Sequence, residues 1–78
     1  MKAYYVQYDT PGTSGFSDIV LVKKEEEIET ALAAKSTRRF EVGDPYSKIT
    51  YKEEIPLSKV KLSDLSIIEF LMMKTYKL

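Results

Sequence analysis

The sequence predicts an α+β domain: a small antiparallel sheet with two helices, in the order β-β-α-β-β-α. Three observations carry that prediction. Residues 48–55 alternate between apolar and polar side chains, the period of a half-buried strand. Two Tyr-, Val- and Ile-rich stretches flank a dense cluster of turn formers, as the arms of a hairpin do. Two further segments open with helix-start signals.

Ala3 to Asp9 is the first strand. Tyr4, Val6 and Tyr8 share one face; Ala3, Tyr5 and Gln7 share the other. Thr10-Pro11-Gly12-Thr13-Ser14-Gly15 reads as a hairpin loop of about six residues. Phe16 to Val22 is the second strand, with Ile19, Val20, Leu21 and Val22 as its apolar centre. Lys24 to Lys35 is the first helix. Glu25, Glu26 and Glu27 occupy its first turn, where negative charge suits the positive end of the helix dipole. Ile28, Ala31, Leu32 and Lys35 form a narrow stripe on one helical face.

Arg38 to Val42 is expected as a third strand, with Phe40 and Val42 facing inward, closed by a turn at Gly43-Asp44-Pro45-Tyr46. In the fourth strand, Lys48 to Ile55, the alternation puts Ile49, Tyr51 and Ile55 inward. It turns Lys48, Thr50, Lys52 and Glu54 outward. Pro56 cannot donate to a ladder and ends the strand. Leu57 to Leu62 then reads as an extended connector pinned by Leu57, Val60 and Leu62.

The second helix starts at Ser66. Its hydroxyl can accept from the Glu69 N–H, and the Glu69 carboxylate can reach back to the Ser66 N–H. Leu65 and Phe70 stand where a hydrophobic staple puts its apolar partners. The helix is apolar nearly all round, through Ile67, Ile68, Phe70, Leu71, Met72 and Met73. One small sheet does not cover every side of such a helix.

Seventy-eight residues make one domain, spanning 1–78. A chain of this size buries only about 60% of the surface its unfolded form exposes, so its margin of stability is small. There is no cysteine and no histidine. That rules out disulfides and removes the preferred ligands of zinc. It also removes the Cys–His and Ser–His routes to nucleophilic catalysis. Candidate acid–base carboxylates are Asp9, Asp18, Asp44, Glu53, Glu54 and Asp64. Only Asp18 and Glu69 border or enter apolar runs. Glu69 has its capping role, and Asp18 reads as a strand-edge or turn-proximal charge. No phosphate-loop or dinucleotide fingerprint is present. The sequence therefore predicts a non-enzymatic protein with no catalytic residue, cofactor or metal.

Twelve basic and twelve acidic side chains cancel. That balance argues against a protein built to hold phosphate backbones. The densest basic group is Lys35, Arg38 and Arg39; with Lys48 and Lys52 it gives the alternative reading, a nucleic-acid-binding patch. The preferred reading is protein binding. Tyrosine and methionine are enriched at protein interfaces, and six tyrosines stand here with no tryptophan. Ile67, Phe70, Met73 and Tyr76 are the predicted partner-binding residues, and a homodimer through the same helix is one arrangement that would cover them. No apolar signal core opens the chain and no run approaches a membrane span, so an intracellular, cytoplasmic protein is expected.

In style the chain resembles small accessory proteins of phages of low-GC Gram-positive bacteria, the host-takeover and inhibitor type. The shared features are the strand opening Lys2-Ala3-Tyr4-Tyr5-Val6, abundant Lys, Glu, Ile and Tyr, and the helix start Leu62-Ser63-Asp64-Leu65-Ser66-Ile67-Ile68-Glu69-Phe70. The resemblance implies a protein that binds one host protein in the host cytoplasm and inhibits or modulates it. It assigns a role to no residue.

Overall fold

The computed structural model describes residues 1–35, 40–66, 69 and 71. Two long strands open the chain. Strand β1 spans Lys2–Thr10 and strand β2 spans Thr13–Val22. They pair antiparallel from Lys2↔Val22 to Tyr8↔Phe16 and again at Thr10↔Thr13, across an irregularity after Tyr8. The hairpin is tighter than the turn-rich composition suggests. Only Pro11 and Gly12 lie between the strands, and Gly12 takes φ 82°, a left-handed value that glycine adopts without a Cβ penalty. Of the expected loop, Thr13 pairs with Thr10, while Ser14 and Gly15 form a bulge within β2 in which the Gly15 N–H donates to Asp9 Oδ1 at 3.3 Å.

A short 3-10 turn at Glu25–Glu27 leads into helix α1, Ile28–Lys35. Ile28 and Leu32, two residues of the predicted stripe, are fully buried. They pack on Tyr4, Val6 and Tyr8 of β1 and on Val20 and Val22 of β2. These side chains share one face of the sheet, because directly opposed residues of an antiparallel pair point the same way. Burial of this face supplies most of the driving force for a domain so small.

Strand β3, Lys48–Ile55, adds on the far side of β1, giving a three-stranded antiparallel sheet in the order β2-β1-β3. The expected four-stranded sheet and the order β-β-α-β-β-α are corrected here. Mixed α+β content stands, with one α-helix and three strands among the described residues. The predicted strand at 38–42 is the first cause. Phe40, Glu41 and Val42 carry no strand. Residues 41–47 fold into successive turns. Glu41 N–H donates to Ser47 Oγ at 3.1 Å, Asp44 N–H to the Glu41 carbonyl at 3.2 Å and Tyr46 N–H to Asp44 Oδ1 at 2.8 Å. Short polar side chains thus satisfy the backbone locally and remove the need for a ladder. Phe40 still enters the core, edge-to-face on Tyr8 with ring centroids 5.7 Å apart, whereas Val42 is 54% exposed.

The second cause lies after β3. The connector is coiled into 3-10 turns at Leu57–Lys59 and Leu62–Asp64 rather than extended. Of the predicted second helix, Glu69 and Leu71 have helical backbone. Residues 67, 68, 70 and 72–78 lie outside the described residues.

A further correction concerns faces. The β1–β3 register slips between Gln7↔Tyr51 and Tyr8↔Ile49, leaving Thr50 as the extra residue of a bulge. Ile49 therefore joins Tyr8 on the α1 face. Tyr51, Glu53 and Ile55 line the opposite face beside Gln7, Tyr5 and Ala3. A simple alternation count misses this, since one inserted residue inverts everything beyond it.

Candidate functional site

The outer edge of β2 is the most heavily furnished part of the molecule. In an antiparallel strand, the N–H and C=O of one residue point to the same side, and successive residues alternate. Towards the end of β2 the outward residues are Ser17, Ile19 and Leu21, followed by Lys23 just past the strand. From Ile19 onward each outward N–H meets a carboxylate. Ile19 N–H donates to Asp18 Oδ1 at 2.9 Å. Leu21 N–H donates to Glu69 Oε2 at 2.9 Å, and Lys23 N–H to Glu27 Oε1 at 3.0 Å. The outward carbonyl of Ile19 accepts from Lys35 Nζ, which also donates to the Asp64 carbonyl.

Lys35 and Glu69 hold this arrangement together. Lys35 Nζ stands 2.8 Å from Glu69 Oε1 and 3.5 Å from Asp18 Oδ1. The side chains of Lys35 and Glu69 are only 12% and 8% exposed, so the pair sits in a low-dielectric pocket. Glu69 Oε1 also accepts from Ser66 N–H at 3.0 Å, while Glu69 N–H donates to Ser66 Oγ at 3.2 Å. The capping box read from the sequence is formed. Sequence reasoning missed the rest of the cluster. The signal was available: Lys35 stands on the apolar stripe of a helix, and Asp18 and Glu69 border or enter apolar runs. A charge that enters an apolar setting needs a partner there, because an unpaired buried charge is costly.

The opposite edge, β3, is furnished differently. Because Ile19 and Leu21 turn their backbone groups outward, Tyr5 and Ala3 opposite them turn theirs towards β3. Glu53 and Ile55 answer them, which leaves Lys52 and Glu54 with N–H and C=O pointing away from the sheet. No strand pairs there among the described residues. A groove of about 580 Å³ runs along this edge on the α1 face, lined by Glu25, Glu26, Ile28, Glu29 and residues 47–52. Glu25 bridges it. Its carboxylate lies 2.8 Å from Lys52 Nζ and accepts from Tyr4 Oη at 3.4 Å. The hydrogen bond from Lys52, followed by that residue's charge, lowers the Glu25 pKa. The same hydrogen bond raises that of Lys52.

On the sheet face away from α1, Tyr5 and Tyr51 stack edge-to-face with centroids 6.3 Å apart. Gln7 Nε2 donates to Tyr5 Oη at 3.1 Å, and Tyr51 Oη donates to Glu53 Oε1 at 3.1 Å. That last hydrogen bond is the main cause of the raised Tyr51 pKa. Tyr51 is 47% exposed.

The predicted basic patch is not assembled from the described residues. Lys35 is half-buried at the β2 edge and Lys52 is paired with Glu25 across the α1 face, while Lys48 is exposed at the start of β3. Arg38 and Arg39 lie outside the described residues, as do Ile67, Phe70, Met73 and Tyr76 of the predicted partner surface. Leu71, from the same stretch, is 55% exposed. Among the described residues no group of three or more acidic side chains could hold a metal ion, and no helix is long and apolar enough to cross a membrane. No family model matches the chain, and it matches no curated protein and no solved structure.

Proposed function

We propose that this chain is a small non-enzymatic protein-binding module that inhibits or modulates the protein it binds. The Tyr5–Tyr51 pair, a half-buried ring beside an exposed one, carries the reading. Exposed tyrosines offer rigid apolar area with a polar tip, the side-chain chemistry enriched at protein interfaces. Tyr51, Gln7 and Glu53 give that face hydrogen-bonding groups around an aromatic centre. The exposed Leu71 supports extending the surface to the closing segment, where Ile67, Phe70, Met73 and Tyr76 stand in the sequence. The nucleic-acid alternative has less support, because Lys35 and Lys52 are already engaged by carboxylates.

The test is affinity capture with the purified chain, side by side with a Tyr5→Ser/Tyr51→Ser variant. One protein should be retained by the wild type, held at high salt and lost with the variant. Capture of nucleic acid that falls steeply with salt would replace this reading with the alternative. Light scattering on the free chain reads the homodimer directly. The captured protein's own activity, measured with and without the chain, reads inhibition.

A further inference from the structure

We propose that the outer edge of β3 is a strand-addition site for an extended segment of a protein partner that carries Lys or Arg at alternate positions. This deepens the protein-binding reading and rests on it. The backbone supplies the first half of the argument. Lys52 and Glu54 present two N–H and two C=O groups away from β1, in ladder geometry. A peptide strand can answer all four, the mode in which main-chain hydrogen bonds give affinity and alternate side chains give specificity. The other edge shows what protection looks like in this molecule: there Asp18, Glu69, Glu27 and Lys35 meet the outward groups. No described side chain does so on β3.

Charge supplies the second half. A strand laid beside β3 turns every second side chain into the groove under α1. Glu25, Glu26 and Glu29 wall that groove, and Glu54 follows Lys52 on the same face. Four carboxylates there stand against Lys2, Lys48 and Lys52, and Lys52 is already bridged to Glu25. The surplus is negative, so the side chains entering it are basic. The intervening side chains fall on the Tyr51 and Glu53 face, which suits β-branched or aromatic residues.

The probe is a synthetic peptide of alternating basic and β-branched residues, Lys-Val-Arg-Ile-Lys-Val, with Glu-Val-Glu-Ile-Glu-Val as its counterpart. Binding is followed by amide shifts and hydrogen exchange in the full chain. The basic peptide should bind, and the Lys52 and Glu54 amides should move and become protected. The acidic peptide should not bind. Glu54→Pro removes one outward donor at a position where an edge strand tolerates proline, and it should weaken binding roughly tenfold or more. Glu26→Lys/Glu29→Lys leaves the strand backbone intact and should weaken binding roughly twofold to thirtyfold. Equal binding of both peptides, undiminished binding to Glu54→Pro, or β3–β3 dimers in solution would overturn the proposal. Failure of peptide binding while a partner is still captured through Tyr5 and Tyr51 overturns strand addition alone. Loss of all capture overturns the protein-binding reading as well.

Discussion

The two edges of this sheet solve the same problem in opposite ways. Each strand edge carries unpaired N–H and C=O groups that would template pairing with another chain. At β2 the protein answers with side chains. Three carboxylates and one ammonium take the positions a fourth strand's backbone would occupy. At β3 the outward groups of Lys52 and Glu54 have no such answer among the described residues, and charged side chains on the strand itself deter indiscriminate pairing. A closed edge is bound into the fold, whereas an open one is available for recognition.

The largest expected effect lies at the closed edge. Glu69→Ala strands the Leu21 N–H and leaves Lys35 with Asp18, 3.5 Å away, as its counter-charge; removing one partner of a buried pair costs up to about 3–5 kcal/mol. That is a large part of the stability of a domain this small. Urea denaturation checks it, and a loss under about 1 kcal/mol would mean the pair is peripheral.

Replacing both partners separates the ion pair from its edge role. Lys35→Met/Glu69→Met removes both charges at once, a change that is often neutral for a buried ion pair alone. Here the Leu21 N–H and Ile19 C=O still lose their partners, so a penalty of about 1–3 kcal/mol should remain for each group left buried. A fully stable double variant would show that the cluster is an ion pair that merely happens to lie beside the strand. The Leu21 amide should also exchange faster in either variant, which hydrogen exchange reads residue by residue.

Ser66→Ala comes next, at roughly 0.5–2 kcal/mol, because it removes the acceptor for Glu69 N–H and frees the carboxylate to drift from Leu21. An unchanged denaturation midpoint would place the origin of Glu69's position elsewhere.

The smallest effect belongs to the Glu25–Lys52 bridge at the open edge, which is half exposed and screened by solvent. Its pH dependence is nevertheless specific. The folded pKa of Glu25 is lowered, so its contribution is complete above the unfolded carboxylate value near ~4.3 and vanishes as pH falls through the folded value. That of Lys52 is raised, so its contribution is complete below about 10.4 and vanishes as pH rises through the higher folded value. Thermal midpoints of wild type and Glu25→Gln should therefore differ between these limits and converge in acid. A difference that persists in acid would contradict the bridge.

Much of this was legible from local pattern. The opening hairpin, the Ile28–Leu32 stripe, the Lys48–Ile55 strand and the Ser66–Glu69 box each depend on spacing within a few residues. The failures came where the decisive partner is far away or where one residue shifts a phase. Phe40 points inward as expected, but Ser47 and Asp44 claim the backbone around it, so no strand forms. Tyr51 changed faces because Thr50 is extra. The sequence offers Lys35 as one of five residues of an alternative basic patch, and only the fold reveals that Glu69 and Asp18 stand beside it. The candidate strand-addition site was not legible at all, since an open edge is a property of topology rather than of composition.

The closure of β2 also has an order in time. Leu21 and its cap are separated by 48 residues. During synthesis the hairpin and α1 can form from nearby contacts long before that carboxylate emerges, because local pairings need little loop closure. Until Glu69 arrives, the Leu21 amide lacks its acceptor, and the nascent chain is exposed to edge-to-edge association. A chain stopped short of residue 69 should therefore retain much of its local structure and yet aggregate. The carboxylate closes an edge that the hairpin and α1, formed earlier, leave open.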